Sequence, residues 1–369
     1  MQIPAQDFTY DEQGGIIETL PPPIPPDYNH SDKPHKAYTF LEKKLFRNNM
    51  RVGFLFDEQS EKSRGYLKKL RITPTNRCSA RCYYCPRPFM LAEGAGYMDF
   101  NFYTDLVDQG HTLGVKGVDL GGWGEPTLHP RIFDMIEYAF DKGMKVGITS
   151  NFIPFDKERL ERLAQYPFDT MEMSMDGFNA SEYQAGKRVD QYPRAFSNVT
   201  FFFEQARKHK QPTHFNIHFV DTGNVSFANK LRFVRYWKTQ MSGLDHDNMF
   251  FYEPLNCGGL CNDLSAKSGL VRRLLRGYKL RKPCYLLGAF SINWDGGVFI
   301  CTAHPMPYMK LGSLKDMTLD QLATHPLLAQ YRQAHNTGNF DLPGCRNCDI
   351  NSMAPFNYVY KQVLNRLFF

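Results

Sequence analysis

The chain has 369 residues, 42% of them hydrophobic, and a formal net charge of +6 spread along its length rather than gathered in a tail. That is enough for one large domain and a smaller one with a sizeable core, and the mild basic balance favours anionic or polar partners without being evidence for nucleic acid. No apolar run approaches the ~20 residues that span a bilayer and no basic-then-apolar signal opens the chain, so a cytoplasmic location without a membrane partner is expected; nine cysteines in that setting argue for metal rather than disulfides.

Residues 1–66 are polar and carry Pro21, Pro22, Pro23, Pro25 and Pro26. Proline at that density blocks helix and sheet ladders, so an extended arm is expected, followed by a short helix, Ala37–Phe46 above all. From residue 67 short apolar strands alternate with helical stretches. Lys68–Thr73 reads as a strand, Leu106–Leu113 as a helix, Gly117–Leu120 as a strand. Ile132–Phe140 follows as an amphipathic helix closed by Lys142-Gly143. Strands at Val146–Thr149, Thr170–Met175, His214–Val220 and Asn248–Pro254 are separated by helices at Lys157–Gln165, Arg194–Lys208 and Leu231–Thr239. Such alternation means βα units and a parallel sheet. About six units fit between residues 67 and 256, too few for a closed eight-stranded barrel. The expected fold is therefore α/β, a partial (β/α)6 barrel, with a small C-terminal α+β domain and a terminal helix over 257–369. Basic residues at Arg272, Arg273, Arg276, Lys279, Arg281 and Lys282 read as a solvated helix face.

In parallel α/β folds ligands sit at the carboxyl ends of the strands, and the chemistry of this sequence lies at four such ends. After the first strand come Cys78, Cys82 and Cys85, three thiols in a C-x3-C-x2-C run with Tyr84 before the last. A closed metal site has four ligands; a triplet leaves one corner open for a substrate or cosubstrate. A zinc site completed by a distant histidine such as His111, or thiols with no metal, are the plainer alternatives. After the second strand comes Gly121-Gly122-Trp123-Gly124-Glu125-Pro126, where glycines admit close backbone approach and Glu125 can accept from an ammonium. Thr149-Ser150-Asn151 and Ser174-Met175-Asp176-Gly177 end the third and fourth strands. Each alone is also an ordinary turn.

Taken in register, these residues resemble the radical S-adenosylmethionine (radical SAM) superfamily over roughly residues 68–255. The resemblance implies a [4Fe-4S] cluster on Cys78, Cys82 and Cys85 whose fourth iron chelates SAM, reductive cleavage of SAM to a 5′-deoxyadenosyl radical, and hydrogen abstraction from a substrate. It implies that Tyr84 stands beside the adenine, that Glu125 with the Gly122 and Gly124 backbone holds the methionyl amine, and that Thr149, Asn151, Ser174 and Asp176 contact the ribose or carboxylate. It also implies an external electron donor such as flavodoxin or ferredoxin. Phe152 departs from the glycine usual after Thr-Asn, which leaves the shape of that loop open.

A second set, Cys284, Cys301, Cys345 and Cys348, supplies four thiolates. Asp295-Gly296-Gly297 between two alternating runs signals a hairpin over Phe290–Cys301, which brings Cys284 and Cys301 together, and Cys345-x2-Cys348 adds a knuckle. Zinc and [4Fe-4S] both suit four thiolates. The pattern resembles the twitch domain, the shorter relative of SPASM, and implies one auxiliary [4Fe-4S] cluster, two clusters in all; Ala354 stands where a full SPASM domain would place another cysteine. For Cys257 and Cys261, three readings stay open: incidental thiols, a hydrogen-atom donor to a substrate radical, or a ligand. The resemblance thus implies an oxidoreductase or epimerase. A small polar substrate, a sugar or aminoglycoside-like molecule, is preferred because the Pro-rich arm does not suit a leader-binding module. Maturation of a ribosomally made peptide is the alternative, and a non-catalytic zinc-stabilised binding protein the remote one.

Overall fold

The computed structural model describes residues 69–90, 94–220, 225–244, 246–252, 284, 287, 290–303, 309–346 and 348. The N-terminal arm and its helix, Cys257, Cys261 and the terminal helix lie outside the described residues. Six strands, β1 (Lys69–Ile72), β2 (Gly117–Leu120), β3 (Lys145–Ser150), β4 (Thr170–Ser174), β5 (His214–Val220) and β6 (His246–Tyr252), run parallel. The sheet continues past β1 through β7 (Phe290–Ile292), parallel to it, and then antiparallel β8 (Gly297–Phe299) and β9 (Lys310–Ser313). The order β6-β5-β4-β3-β2-β1-β7-β8-β9 leaves the sheet open, as a partial barrel.

Between the strands lie α1 (Arg87–Met90), α2 (Phe100–Thr112), α3 (Ile132–Asp141), α4 (Lys157–Leu163), α5 (Ala180–Lys187), α6 (Tyr192–His209) and α7 (Phe227–Gln240); α8 (Leu319–Ala323) and α9 (Pro326–Asn336) follow β9. Helix starts are set by short polar caps: Asp99, Asp156, Asn179 and Ser226 accept from the backbone N–H groups of Phe102, Arg159, Glu182 and Asn229, satisfying donors that a helix leaves open. The Asp99 cap starts α2 six residues before the expected Leu106. The foreseen stop after α3 is present, with Gly143 at φ +69°. The foreseen hairpin is β7–β8, with Gly296 at φ +89° in its turn.

Strand alternation divides the sheet's two faces. Leu70 and Ile72 of β1, Met171 and Met173 of β4, and Phe215, Ile217 and Phe219 of β5 are buried on one face, with an aromatic core of Phe202, Phe203, Phe233 and Trp237 behind them. A parallel sheet packed on both faces would be apolar throughout. Here the opposite face carries Lys69, Arg71, Asp119, Thr149, Glu172, Ser174, Asn216 and His218, so the inside of the open barrel is polar.

Phe152, which replaces the expected glycine after β3, keeps a glycine's conformation at φ +60°. Its fully buried ring packs on Phe155 and Phe202, and the Asn198 amide donates to its carbonyl at 2.8 Å. Packing offsets a left-handed backbone that costs about 1–2 kcal/mol in a residue with a Cβ. Phe152→Gly relieves that strain but loses a buried ring, a change of about 3–5 kcal/mol for Phe→Ala. The variant is expected to be less stable by about 2–3 kcal/mol, seen as a lower urea midpoint with an unchanged slope.

Candidate active site

The loop after β1 carries Cys78, Cys82 and Cys85 and is stitched to neighbouring strand ends by backbone bonds. Arg81 N–H donates to the Lys187 carbonyl at 2.9 Å, Tyr83 N–H to Gly186 at 3.2 Å, and Glu125 N–H to the Arg77 carbonyl at 2.8 Å. Thr75 and Asn76 bind the backbone of Gly96 and Gly94. The glycine loop after β2 lies against this segment: a Cβ on Gly124 would stand 1.8 Å from the Thr75 carbonyl oxygen, and Gly122 sits at φ +104° with its missing Cβ directed at the Thr73 hydroxyl. Only glycine lets the two loops touch here.

The three thiols wall one side of a cavity of about 330 Å³. Its other walls are Gly122–Glu125, Thr149–Asn151, Ser174, Tyr84 and Lys187, so every expected cofactor residue except Asp176 lines it. Asp176 lies just behind, bonded to the Tyr84 hydroxyl and paired with Lys187 at 3.1 Å. Burial pushes the Cys78 thiol up to about 11 and Cys85 to about 12, and raises Cys82. The Arg87 guanidinium acts against that rise at all three, and the Lys187 ammonium at Cys82. The Asn151 amide donates to Cys78 Sγ at 3.7 Å, and the Cys78 Sγ also accepts from Ala80 N–H at 3.4 Å. The Trp123 indole N–H faces no hydrogen-bond partner in a residue that lines the cavity. Partly buried thiols flanked by two buried cations and an unspent donor fit an anionic thiolate–iron cluster with a polar ligand beside it.

The carboxylate of Glu125, 1% exposed, is already occupied. Its Oε1 accepts from Thr127 N–H at 3.2 Å, the Thr127 hydroxyl at 2.6 Å and the Ser150 hydroxyl at 2.8 Å, while Oε2 accepts from Asn151 N–H at 2.8 Å. Burial raises its pKa, and these four donors pull against the rise. Glu125 therefore clamps the end of β2 to the end of β3, with Oε2 accepting a single bond. Asn151 similarly accepts from the Ser79 hydroxyl at 3.1 Å and from Ile153 N–H at 2.9 Å, tying β3 to the cysteine loop. Tyr84 is anchored through its hydroxyl on Asp176, with Lys187 Nζ at 3.5 Å.

Arg87 and Lys187 were missed from sequence. Arg87 is 3% exposed and donates to the carbonyls of Asn76 and Ala80. Lys187, 2% exposed at the end of α5, donates to the Ser174 hydroxyl at 2.5 Å. The pairing of a charged residue with the loop (Cys85-Pro86-Arg87) and with the fourth strand end (Ser174, Asp176) was the available signal. The alternative ligand His111 is exposed at the end of α2 that leads into the start of β2, the far end of the strands from the cysteine loop. Among the described residues no group of three or more His, Cys, Asp or Glu side chains is arranged to hold a single metal ion.

The second cysteine set also comes together. Cys301 feels Cys284, Cys345 and Cys348, and burial lifts its thiol well above the usual range. Cys284 and Cys301 are buried, and Cys284 N–H donates to His335 Nδ1 on α9 at 3.2 Å.

A family model described as the radical SAM superfamily matches residues 72–227, and one described as an iron-sulfur cluster-binding domain, SPASM, matches residues 284–349. Residues 72–227 thus carry the radical SAM signature and residues 284–349 the SPASM signature, and these two parts imply SAM and iron–sulfur clusters as cofactors. The chain is 33% identical over 111 residues to the tungsten-containing aldehyde ferredoxin oxidoreductase cofactor-modifying protein of Pyrococcus furiosus, a match covering 30% of this chain and 31% of that one; it thus spans about a third of the length of the curated relative. Its fold is similar to Streptococcus suis SuiB bound to precursor peptide SuiA, with a TM-score of 0.57, 15% identity, and 77% and 70% of the two chains covered. It is similar too to anSMEcpe with bound AdoMet and the Kp18Cys peptide, with a TM-score of 0.55, 16% identity, and 81% and 98% covered. No helix among the described residues is long and apolar enough to cross a membrane.

The close approach at Gly124 gives a direct test. Gly124→Ala drives a Cβ into backbone that cannot yield, so the cysteine loop is displaced while the second cysteine set is untouched. The variant is expected to carry about half of the wild-type iron by elemental analysis after anaerobic reconstitution; full iron content contradicts the loop packing.

Proposed function

We propose that Cys78, Cys82 and Cys85 hold a [4Fe-4S] cluster, that SAM binds in the adjoining cavity, and that the enzyme removes a hydrogen atom from a small polar substrate, a sugar or aminoglycoside-like molecule, giving epimerisation or dehydrogenation. The observation that carries this reading is the cavity itself. Three partly buried thiols form one wall, glycine backbone, short polar side chains, aromatic rings and cationic side chains form the rest, and among the described residues no other cysteine and no histidine lines it.

When bound and reduced, the cluster and SAM supply homolytic cleavage to methionine and a 5′-deoxyadenosyl radical that takes a hydrogen atom from the substrate. The chain's own residues prepare that site. Arg87 and Lys187, both buried, balance the negative charge of the three cavity thiolates. The Asn151 amide donates to Cys78 Sγ. Glu125 fixes Ser150 and Asn151 so that the end of β3 faces the glycine loop. The Trp123 indole N–H and the backbone of Gly122 and Gly124 remain for the cosubstrate.

The second set, Cys284, Cys301, Cys345 and Cys348, holds the auxiliary cluster in this reading, with electrons delivered by a flavodoxin or ferredoxin. The peptide-bound neighbours support a second reading in which the substrate is a ribosomally made peptide. The domains divide near residue 256, although β7 continues the core sheet.

Replacing Cys78, Cys82 and Cys85 together by alanine is expected to halve the iron and abolish 5′-deoxyadenosine formation from SAM under dithionite. Retained cleavage overturns the assignment. Cys284→Ala or Cys345→Ala is expected to lose the second cluster and leave SAM cleavage without added substrate within about twofold of wild type, measured by product chromatography.

A further inference from the structure

Below the cavity, on the polar inner face of the sheet, lies a group of side chains that the cofactor site does not use. Thr149 lines the cavity, and its hydroxyl donates to Glu172 Oε2 at 2.8 Å. In register, Glu172 stands beside Thr149 on one side and Asn216 on the other, and Ser174 of the cavity wall stands beside His218. Glu172 is thus one layer beneath the cavity and continuous with it.

Three observations mark this layer as built for a ligand. The Glu172 side chain is 33% exposed although it lies on the inside of the barrel, so it is open to solvent from within the hollow. Its Oε1 lies 3.6 Å from His218 Nε2, long for a hydrogen bond. Asn216, 6% exposed and beside Glu172 in register, holds a buried amide oxygen with no hydrogen-bond partner among the described residues. Buried amides are nearly always paired, so this oxygen is a spare acceptor next to the carboxylate. The carboxylate is charged: burial works to raise its pKa, but His218, the Thr149 hydroxyl and Arg71 outweigh burial and bring it down to about 2. An ionised carboxylate only accepts hydrogen bonds, so the complementary group is a donor.

We propose that Glu172 and Asn216, framed by Thr149 and His218, form the subsite that receives a hydrogen-bond-donating group of the substrate, an ammonium or hydroxyl of an amino sugar or polyol. This rests on the reading of the cavity as the SAM site. A donor fixed on Glu172 leaves the rest of a sugar-sized molecule facing the cavity across Thr149 and Ser174, in reach of a hydrogen-abstracting group there. Asn216, whose amide can donate or accept, takes a neighbouring hydroxyl. Two polar contacts one strand apart suit adjacent substituents on a ring better than a flat apolar group.

Calorimetric titration of the reconstituted, SAM-loaded enzyme with glucosamine and with methyl α-glucoside tests this. At least one probe is expected to bind wild type saturably. Glu172→Gln is expected to weaken binding tenfold or more and Asn216→Ala threefold or more, with iron content and SAM affinity unchanged in both. Weakening confined to glucosamine identifies the donor as an ammonium; weakening of both identifies a hydroxyl. Binding of neither probe to wild type, unchanged binding in the variants, or a loss of SAM affinity on Glu172→Gln overturns the subsite. Dithionite-driven SAM cleavage in the same wild-type sample separates the two readings. Cleavage without a Glu172 effect sinks only the subsite, whereas no cleavage sinks the reading of the cavity.

Discussion

The backbone bonds between the cysteine loop and its neighbours are the constraint on which the rest of the site depends. Arg81 and Tyr83 donate to the carbonyls at the end of α5, and Glu125 donates to Arg77. A loop with three thiols has few apolar side chains, Ala80 among them, to hold its shape, and ordering it costs conformational entropy at every residue. The parallel sheet removes that difficulty by bringing the ends of β2, β3 and β4 to the same edge. The loop then pairs with the Glu125 N–H after β2 and with the carbonyls of Gly186 and Lys187 at the end of α5, the helix that follows β4. Glycine at positions 122 and 124 is required because the loops meet at backbone contact distance. The clamp made by Glu125 follows from the same arrangement, since its four donors come from two different strand ends.

Charge is the second constraint. Burying three thiols in protein raises each of them, and a buried anionic group needs a partner. Arg87 and Lys187 supply positive charge from opposite sides of the loop. Lys187 is itself paired with Asp176 at 3.1 Å, both side chains being almost fully buried. Such a pair adds little net stability, but it fixes an ammonium beside Cys82, Ser174 and the Tyr84 hydroxyl. On the inner face below, the same polarity continues through Thr149 to Glu172, so the cavity opens onto a polar hollow rather than an apolar core.

Much of this was legible in the sequence because the relevant signals are local. Period-two alternation located β2 and β5 to the residue, and Asp295-Gly296-Gly297 located the β7–β8 turn. The glycines of the second loop and both cysteine sets were found by spacing. Three kinds of feature were not legible. The helix α5 has a polar sequence with Gly186 inside it, so apolar periodicity passed over it, and Lys187 at its end went with it. Arg87 lies in a single helical turn too short to give any periodic pattern. The pairing of β7 with β1 joins residues more than 200 positions apart, which no local pattern reports. The clamp made by Glu125 was not legible either, because only the fold brings Ser150 and Asn151 to its oxygens.

The central claim is that one of two iron–sulfur clusters keeps an iron open to SAM beside the cavity. Electron paramagnetic resonance of the anaerobically reconstituted, dithionite-reduced enzyme, recorded with and without SAM, tests it most directly. The account predicts that the signal of the cluster on Cys78, Cys82 and Cys85 changes on addition of SAM while the second signal does not. A spectrum unaltered by saturating SAM would contradict it.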